Sequence, residues 1–234
     1  MVGLGLIFCV LIFISQDFEF DFNVGFSPEP ASLPIAIQYG GQTEIELGKL
    51  VLQNNADNLR QQMSQFNLEQ INTVYQGMTP LMIASSLGNS ETVELLLNGG
   101  ADPNRRGAQD RTSLQYAVEK NHIDVARLLL QVGADINGVD VTRLTPLVMA
   151  VDRDYDQLAY YLIQQGADPN IQHVAGHTAL IDAARNGDMA MVEALLEAGA
   201  NPMLALPDGR RASDIAEQLQ HYEIADLLIE LEES

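Results

Sequence analysis

Residues 77–104 open with Gly77-Met78-Thr79-Pro80-Leu81 and close with Gly100-Ala101-Asp102-Pro103-Asn104, and elements of this pattern return every 33 residues. Thr79, Thr112, Thr145 and Thr178 keep the step, as do Ala84, Ala117, Ala150, Ala183 and Ala216. Gly100-Ala101-Asp102, Gly133-Ala134-Asp135, Gly166-Ala167-Asp168 and Gly199-Ala200-Asn201 follow it too. Several independent features locked to one period mark a repeat protein.

Each unit reads as loop, helix, tight turn, helix, loop. A Thr is a natural N-cap, and Pro80 or Pro146 behind it sits at the first helical position, where its missing N–H costs nothing. The repeated Ala is small enough to let one helix pair approach the next. The second helix carries apolar residues at i, i+3 and i+4 (Val93, Leu96, Leu97; Val125, Leu128, Leu129; Val192, Leu195, Leu196). It stops at Gly100, Gly133, Gly166 or Gly199, each suited to a left-handed C-cap.

On these residues the chain resembles the ankyrin repeat family over about residues 76 to 234, with Gly77-Met78-Thr79-Pro80-Leu81, Gly88 and Gly100-Ala101-Asp102-Pro103-Asn104 making a nearly complete repeat signature. The resemblance implies an all-α solenoid of stacked helix pairs with short finger loops. The domain spans 45–234: an N-terminal cap at 45–75, repeats at 76–108, 109–141, 142–174 and 175–207, and a C-terminal cap at 208–234. Leu59, Met63 and Ile71 are the expected core of the first cap. Glu230, Glu232 and Glu233 are expected to make the last one soluble, as a terminal repeat with an unstacked face requires. One departure recurs. Where the family usually has His after Thr-Pro-Leu, this chain has Met82, Gln115, Val148, Ile181 and Asp214, so that hydrogen-bond network is expected to be largely lost.

Composition narrows the function. With 12 Lys+Arg against 32 Asp+Glu the net charge is −20, which opposes binding to nucleic acid, whose readers cluster Lys and Arg on phosphates. Cys9 is the single cysteine, so no intramolecular disulfide, CxxC pair or thiolate zinc cluster can form. Nucleophile-elbow, phosphate-loop and HExxH motifs are missing, so neither an enzyme nor a cofactor is expected. His122 and His221 are three repeats apart and open equivalent helices, a structural repetition. His173 and His177 share a loop and are too few for zinc. Asp152-Arg153-Asp154-Tyr155-Asp156 opens like a calcium loop but lacks the Gly at its sixth position and the Glu at its twelfth.

The N-terminal residues differ in kind. Val2–Ile14 carries no charged side chain and would span about 20 Å as a helix, short of the roughly 30 Å hydrocarbon core. Residues 1–16 are read as an apolar leader that suits the h-region of a signal peptide, and the expected location is exported, periplasmic or secreted. The lack of Lys or Arg before Lys49, and of a small-x-small cleavage site, keeps a cytoplasmic location as the alternative. Residues 17–44 read as a linker, with Asp17-Phe18-Glu19-Phe20-Asp21-Phe22 alternating acid and aromatic and Pro28, Pro30 and Pro34 breaking regular structure.

In ankyrin proteins partners usually sit on the fingers and on the exposed ends of the first helices. Here the fingers correspond to about 72–78, 105–111, 138–144, 171–177 and 204–211. These positions hold nine of the 12 basic residues and five acids (Asp110, Glu119, Asp140, Asp152 and Asp208), against the acidic remainder. The expected contact residues are Arg105, Arg106, Arg111, Lys120, Arg143, Asp152, Arg153, His177, Arg185 and Arg210. The expected partner is a protein with an acidic patch, because the planar Arg fork matches a carboxylate. The function so read is a non-enzymatic adaptor or inhibitor. The alternatives are a membrane-associated scaffold held by Val2–Ile14 and a binder of an anionic small ligand. No heptad seam occurs in the repeats, and a monomer is expected.

Overall fold

The computed structural model describes residues 42–233; the leader 1–16 and the Asp17–Phe22 run lie outside the described residues. Six helix pairs follow one another. They are α1 (Gln42–Leu52) with α2 (Ala56–Gln62), α4 (Pro80–Leu87) with α5 (Ser90–Asn98), and α6 (Ser113–Glu119) with α7 (Ile123–Gln131). Then come α8 (Pro146–Asp152) with α9 (Asp156–Gln164), α10 (Ala179–Asn186) with α11 (Met189–Glu197), and α12 (Ala212–Gln218) with α13 (Tyr222–Glu233). A short α3 (Leu68–Ile71) links the first pair to the second. First helices stack on first helices and second on second, so the domain is an all-α solenoid. α1 begins at Gln42, inside the 17–44 stretch read as linker, and packs on α4 as a first helix.

The period explains the packing. Ala84, Ala117, Ala150, Ala183 and Ala216 are all 0% exposed, which lets neighbouring first helices approach closely. Leu81, Leu114, Leu147 and Leu180 fill the layer beside them, and Leu96, Leu129, Leu162, Leu195 and Leu228 form the matching column of the second helices. Each buried leucine contributes about 1.5–3 kcal/mol. Leu59 and Ile71 are buried in the first cap as expected, while Met63 is only partly so. Thr79, Thr112, Thr145 and Thr178 are buried N-caps whose hydroxyls accept the amides of Met82, Gln115, Val148 and Ile181 at 3.2–3.4 Å.

The expected loss of the polar network after these caps holds at Val148 and Ile181, which have no polar side-chain atom, and fails at Gln115. There the side-chain oxygen accepts the Thr112 amide at 2.9 Å, while the amide group donates to the Leu144 carbonyl of the next repeat at 2.8 Å. In the last repeat Asp214 takes over, accepting the Arg211 amide at 2.8 Å. Glu232 also departs from its expected role as a solvated charge. It is largely buried, held by Ser213 at 2.7 Å and Arg211 at 3.0 Å, because the leucine of earlier repeats has become Ser213 and needs a partner.

Two further ladders join the repeats. On the loops after the second helices, the side-chain oxygens of Asn72, Asn104, Asn137 and Asn170 accept the amides of Asp102, Asp135, Asp168 and Asn201 in the following repeat, at 2.7–2.9 Å. On the opposite loops the fingers bond directly: Ala108 N–H to Gly77 O (2.6 Å), Val141 N–H to Gln109 O (3.0 Å) and Val174 N–H to Thr142 O (2.9 Å). The equivalent residue in the last finger is Pro207, which has no N–H, and the Gln172 side chain instead donates to Ala205 O at 3.1 Å.

His122 and His221 are structural, as their spacing indicated. The His122 ring lies over Gly88 and bonds Ser86 O at 3.1 Å, and the His221 ring lies over Gly187. A Cβ on Gly88, whose φ is +74°, would stand 2.5 Å from the imidazole. At the equivalent turns with Asn121 and Asp154 the following repeat presents Tyr155 and Asp188 instead of His. Gly88→Ala is therefore expected to cost more than about 2 kcal/mol, from left-handed strain plus the clash. Adding His122→Ala should recover only the clash, a non-additivity that urea denaturation of the two single variants and the double variant measures.

Candidate functional site

The positions expected to meet a partner form two columns, one at the base of each finger and one at the end of each first helix. In the second full repeat, Arg111 leaves the finger and pairs with Glu119 on the last turn of α6, with its guanidinium 4.3 Å over the Tyr116 ring. Burial alone would raise the Glu119 carboxyl, but the hydrogen bond and charge of Arg111, with Lys120 and Arg153, hold it below the usual glutamate value. Two repeats on, His177 occupies the place of Arg111. Its Nδ1 lies 2.8 Å from Asp182, which Arg185 also binds at 3.0 Å while reaching across to Asp152 at 2.7 Å. In the last repeat Arg210 bonds Asp208 at 2.7 Å and Gln218 at 2.8 Å.

Most of the expected contact residues thus bond first to their own scaffold. Arg106 donates to Asp110 O at 3.0 Å and Val139 O at 2.5 Å, tying one finger to the next. Arg143 Nε donates to Gln172 O at 3.1 Å. Arg153 makes one long bond, 3.4 Å, to Glu119 O. Besides Arg143 and Arg153, the exposed cations of this set least engaged by the scaffold are Arg105, whose side chain enters no ion pair among the described residues, and Lys120, 3.9 Å from Glu119.

Asp182 is the site residue that the sequence reading missed. Only 2% exposed, it places a sixth carboxylate among the basic positions. Its in-repeat equivalents are Ile83, Tyr116, Met149 and Ile215, so a carboxylate in a mostly apolar column was the available signal. A buried carboxylate stays charged only if it is well partnered, which accounts for His177 and Arg185 converging on it.

His173 and His177 stand edge to face with ring centroids 6.5 Å apart. The described residues contain no group of three or more His, Cys, Asp or Glu side chains arranged for a metal, and none of their helices is long and apolar enough to cross a membrane. Asp154, in the α8–α9 turn and in the run that opens like a calcium loop, accepts a hydrogen bond at 2.8 Å from Asn186 at the end of α10.

The ankyrin repeat profile, described as ankyrin repeats in three copies, matches residues 33–140 and 147–234. The chain belongs to the ankyrin repeat family. A similar solved structure is the crystal structure of an ankyrin repeat domain from Acinetobacter baumannii AYE. It is 29% identical, with a TM-score of 0.73 over 80% of this chain and 97% of that one. No curated protein matches the chain significantly. Ankyrin repeats are in general protein–protein interaction modules.

Arg185→Leu is expected to cost about 2–3 kcal/mol, because it leaves the buried Asp182 with His177 alone. Arg210→Leu, in an exposed pair, should cost under about 1 kcal/mol in the same denaturation assay. Burial, then the neighbouring His177, lowers the His173 pKa, against opposing pulls from Asp140, Asp182 and Asp152. An NMR titration should find the His173 ring protonating below the usual 6.5. The unfolded chain then binds that proton first, so this contribution to stability is intact above about 6.5 and lost as pH falls through the folded value.

Proposed function

We propose that this ankyrin repeat protein is a non-enzymatic adaptor or inhibitor that holds a protein partner by an acidic patch, through its fingers and the ends of its first helices. The observation that carries the reading is the division of labour among the cations. On a chain of net charge −20, Arg105 and Lys120 face outward from finger and helix end, and Arg153 spends only one long bond. Such charges steer an acidic partner and set its orientation, while the acidic remainder repels other acidic proteins.

The decisive variant keeps the partly buried Arg111–Glu119 and Arg185–Asp182 pairs and gives up only the long Lys120–Glu119 contact and the 3.4 Å bond of Arg153. Reversing Arg111 would set a glutamate against Glu119 and unsettle the fold, whereas R105E/K120E/R153E changes exposed positions. With the full chain as bait in extracts of its source, a specific partner should be held by the wild type and by Glu94→Lys/Glu197→Lys on the second helices. The finger-face triple variant should lose it, and raised salt should weaken the wild-type complex. Equal retention by the triple variant at low salt would overturn the reading.

A further inference from the structure

The 33-residue step aligns the finger turns at Gly77, Asp110, Arg143, Gly176 and Gly209, and all five adopt left-handed backbone, with φ of +85°, +58°, +62°, +85° and +91°. Glycine takes this conformation without strain, and Asp is among the side chains that tolerate it. Arg143 is neither. Three of the five fingers carry glycine here, and Arg143 is the longest side chain on this turn, although Gln76 (φ +48°) and Gln109 (φ +58°) adopt the same backbone region one residue earlier in their fingers.

The surroundings of Arg143 say what it is placed to meet. It lines an open depression between fingers with Ile171, His173, Val174, Ala205 and Pro207. Two of the depression's carbonyls are already taken: Gln172 O by Arg143 Nε at 3.1 Å, and Ala205 O by the Gln172 side chain at 3.1 Å. The outer donors of Arg143 and His173 are not. The guanidinium is exposed, and its terminal nitrogens enter no ion pair among the described residues. His173 Nδ1 accepts the Ala175 amide at 3.1 Å, so the neutral ring carries its proton on Nε2 as a donor. Val174 leaves 59% of its surface exposed, and Pro207 is exposed as well. Spare side-chain donors beside an apolar wall suit an anion attached to an aliphatic neighbour.

We infer that Arg143 and His173 form a carboxylate-reading subsite, taking an Asp or Glu side chain from an extended partner segment whose adjacent aliphatic residue packs on Val174 and Pro207. The inference rests on the proposal that the finger face binds an acidic protein. Arg143 supplies the charge-assisted bonds and His173 a neutral one, while the hydrogen-bonded fingers hold the two in place.

The test is an NMR titration of the labelled full chain with blocked Val-Glu-Val, its Val-Gln-Val counterpart and inorganic phosphate, with melting curves recorded alongside. Val-Glu-Val should shift the His173 ring and Val174 methyl signals saturably, and Val-Gln-Val should bind at least about tenfold more weakly. Arg143→Gly, which gives this finger the residue of Gly77, Gly176 and Gly209, should abolish the response without lowering the melting temperature. If Arg143→Gly melted lower and still bound the peptide, Arg143 would be only a clamp on Gln172, and the subsite would be refuted. Phosphate reproducing the shifts while Val-Glu-Val did not would refute it too. No response to Val-Glu-Val, with partner capture still lost in R105E/K120E/R153E, would refute the subsite and leave the finger-face reading intact. A saturable response with capture unaffected by that triple variant would do the reverse.

Discussion

Close approach between successive first helices is the constraint from which the rest of this structure follows. Ala84, Ala117, Ala150, Ala183 and Ala216 are fully buried at one position of each repeat, where a larger side chain would hold the stack apart. That spacing brings the leucine columns into contact, sets each Asn of the loop ladder opposite the next repeat's amide, and lets each finger bond its neighbour. No repeat could bury its apolar face alone, so stability is shared through nearest-neighbour interfaces. The ends show the same logic inverted, since Ser213 replaces the leucine and is satisfied by Glu232.

Electrostatics on the finger side serve two tasks at once. Arginine suits both, because one guanidinium can hold a carboxylate in one repeat and reach another in the next, as Arg185 does between Asp182 and Asp152. Ion pairs of this kind link neighbouring repeats, while desolvation offsets much of their attraction. A cation so engaged is not available to a partner. The cations left for a partner are therefore fewer than the count of basic residues suggests, and the proposed recognition surface rests on Arg105, Lys120, Arg153 and the free end of Arg143. Finger-to-finger backbone bonds hold these side chains on a fixed frame.

The fold was legible because repetition amplifies weak local signals. One Thr-x-Leu or Gly-Ala says little, but four of each in register define helix starts, helix stops and a buried face. His122 and His221 were readable as structural for the same reason, and their partners Gly88 and Gly187 are glycines for a reason that only the rings above them reveal. The candidate site was legible as positions and not as states. Its columns could be counted along the chain, whereas Asp182 hid in a mostly apolar column and Gln115 stood where an apolar loss was expected.

Periodicity, cap residues, the small-residue column and the excess of acid by themselves determined an acidic ankyrin solenoid with its cations gathered on the fingers and the ends of the first helices. These are properties of spacing and composition, which any register-preserving stack must express. Which cation is spent on which carboxylate was decided only by the tertiary structure. Ion pairing depends on close approach between residues far apart in sequence, 2.7 Å for Asp152 and Arg185, and on whether the pair is dry or wet. Those quantities exist only once the repeats are stacked.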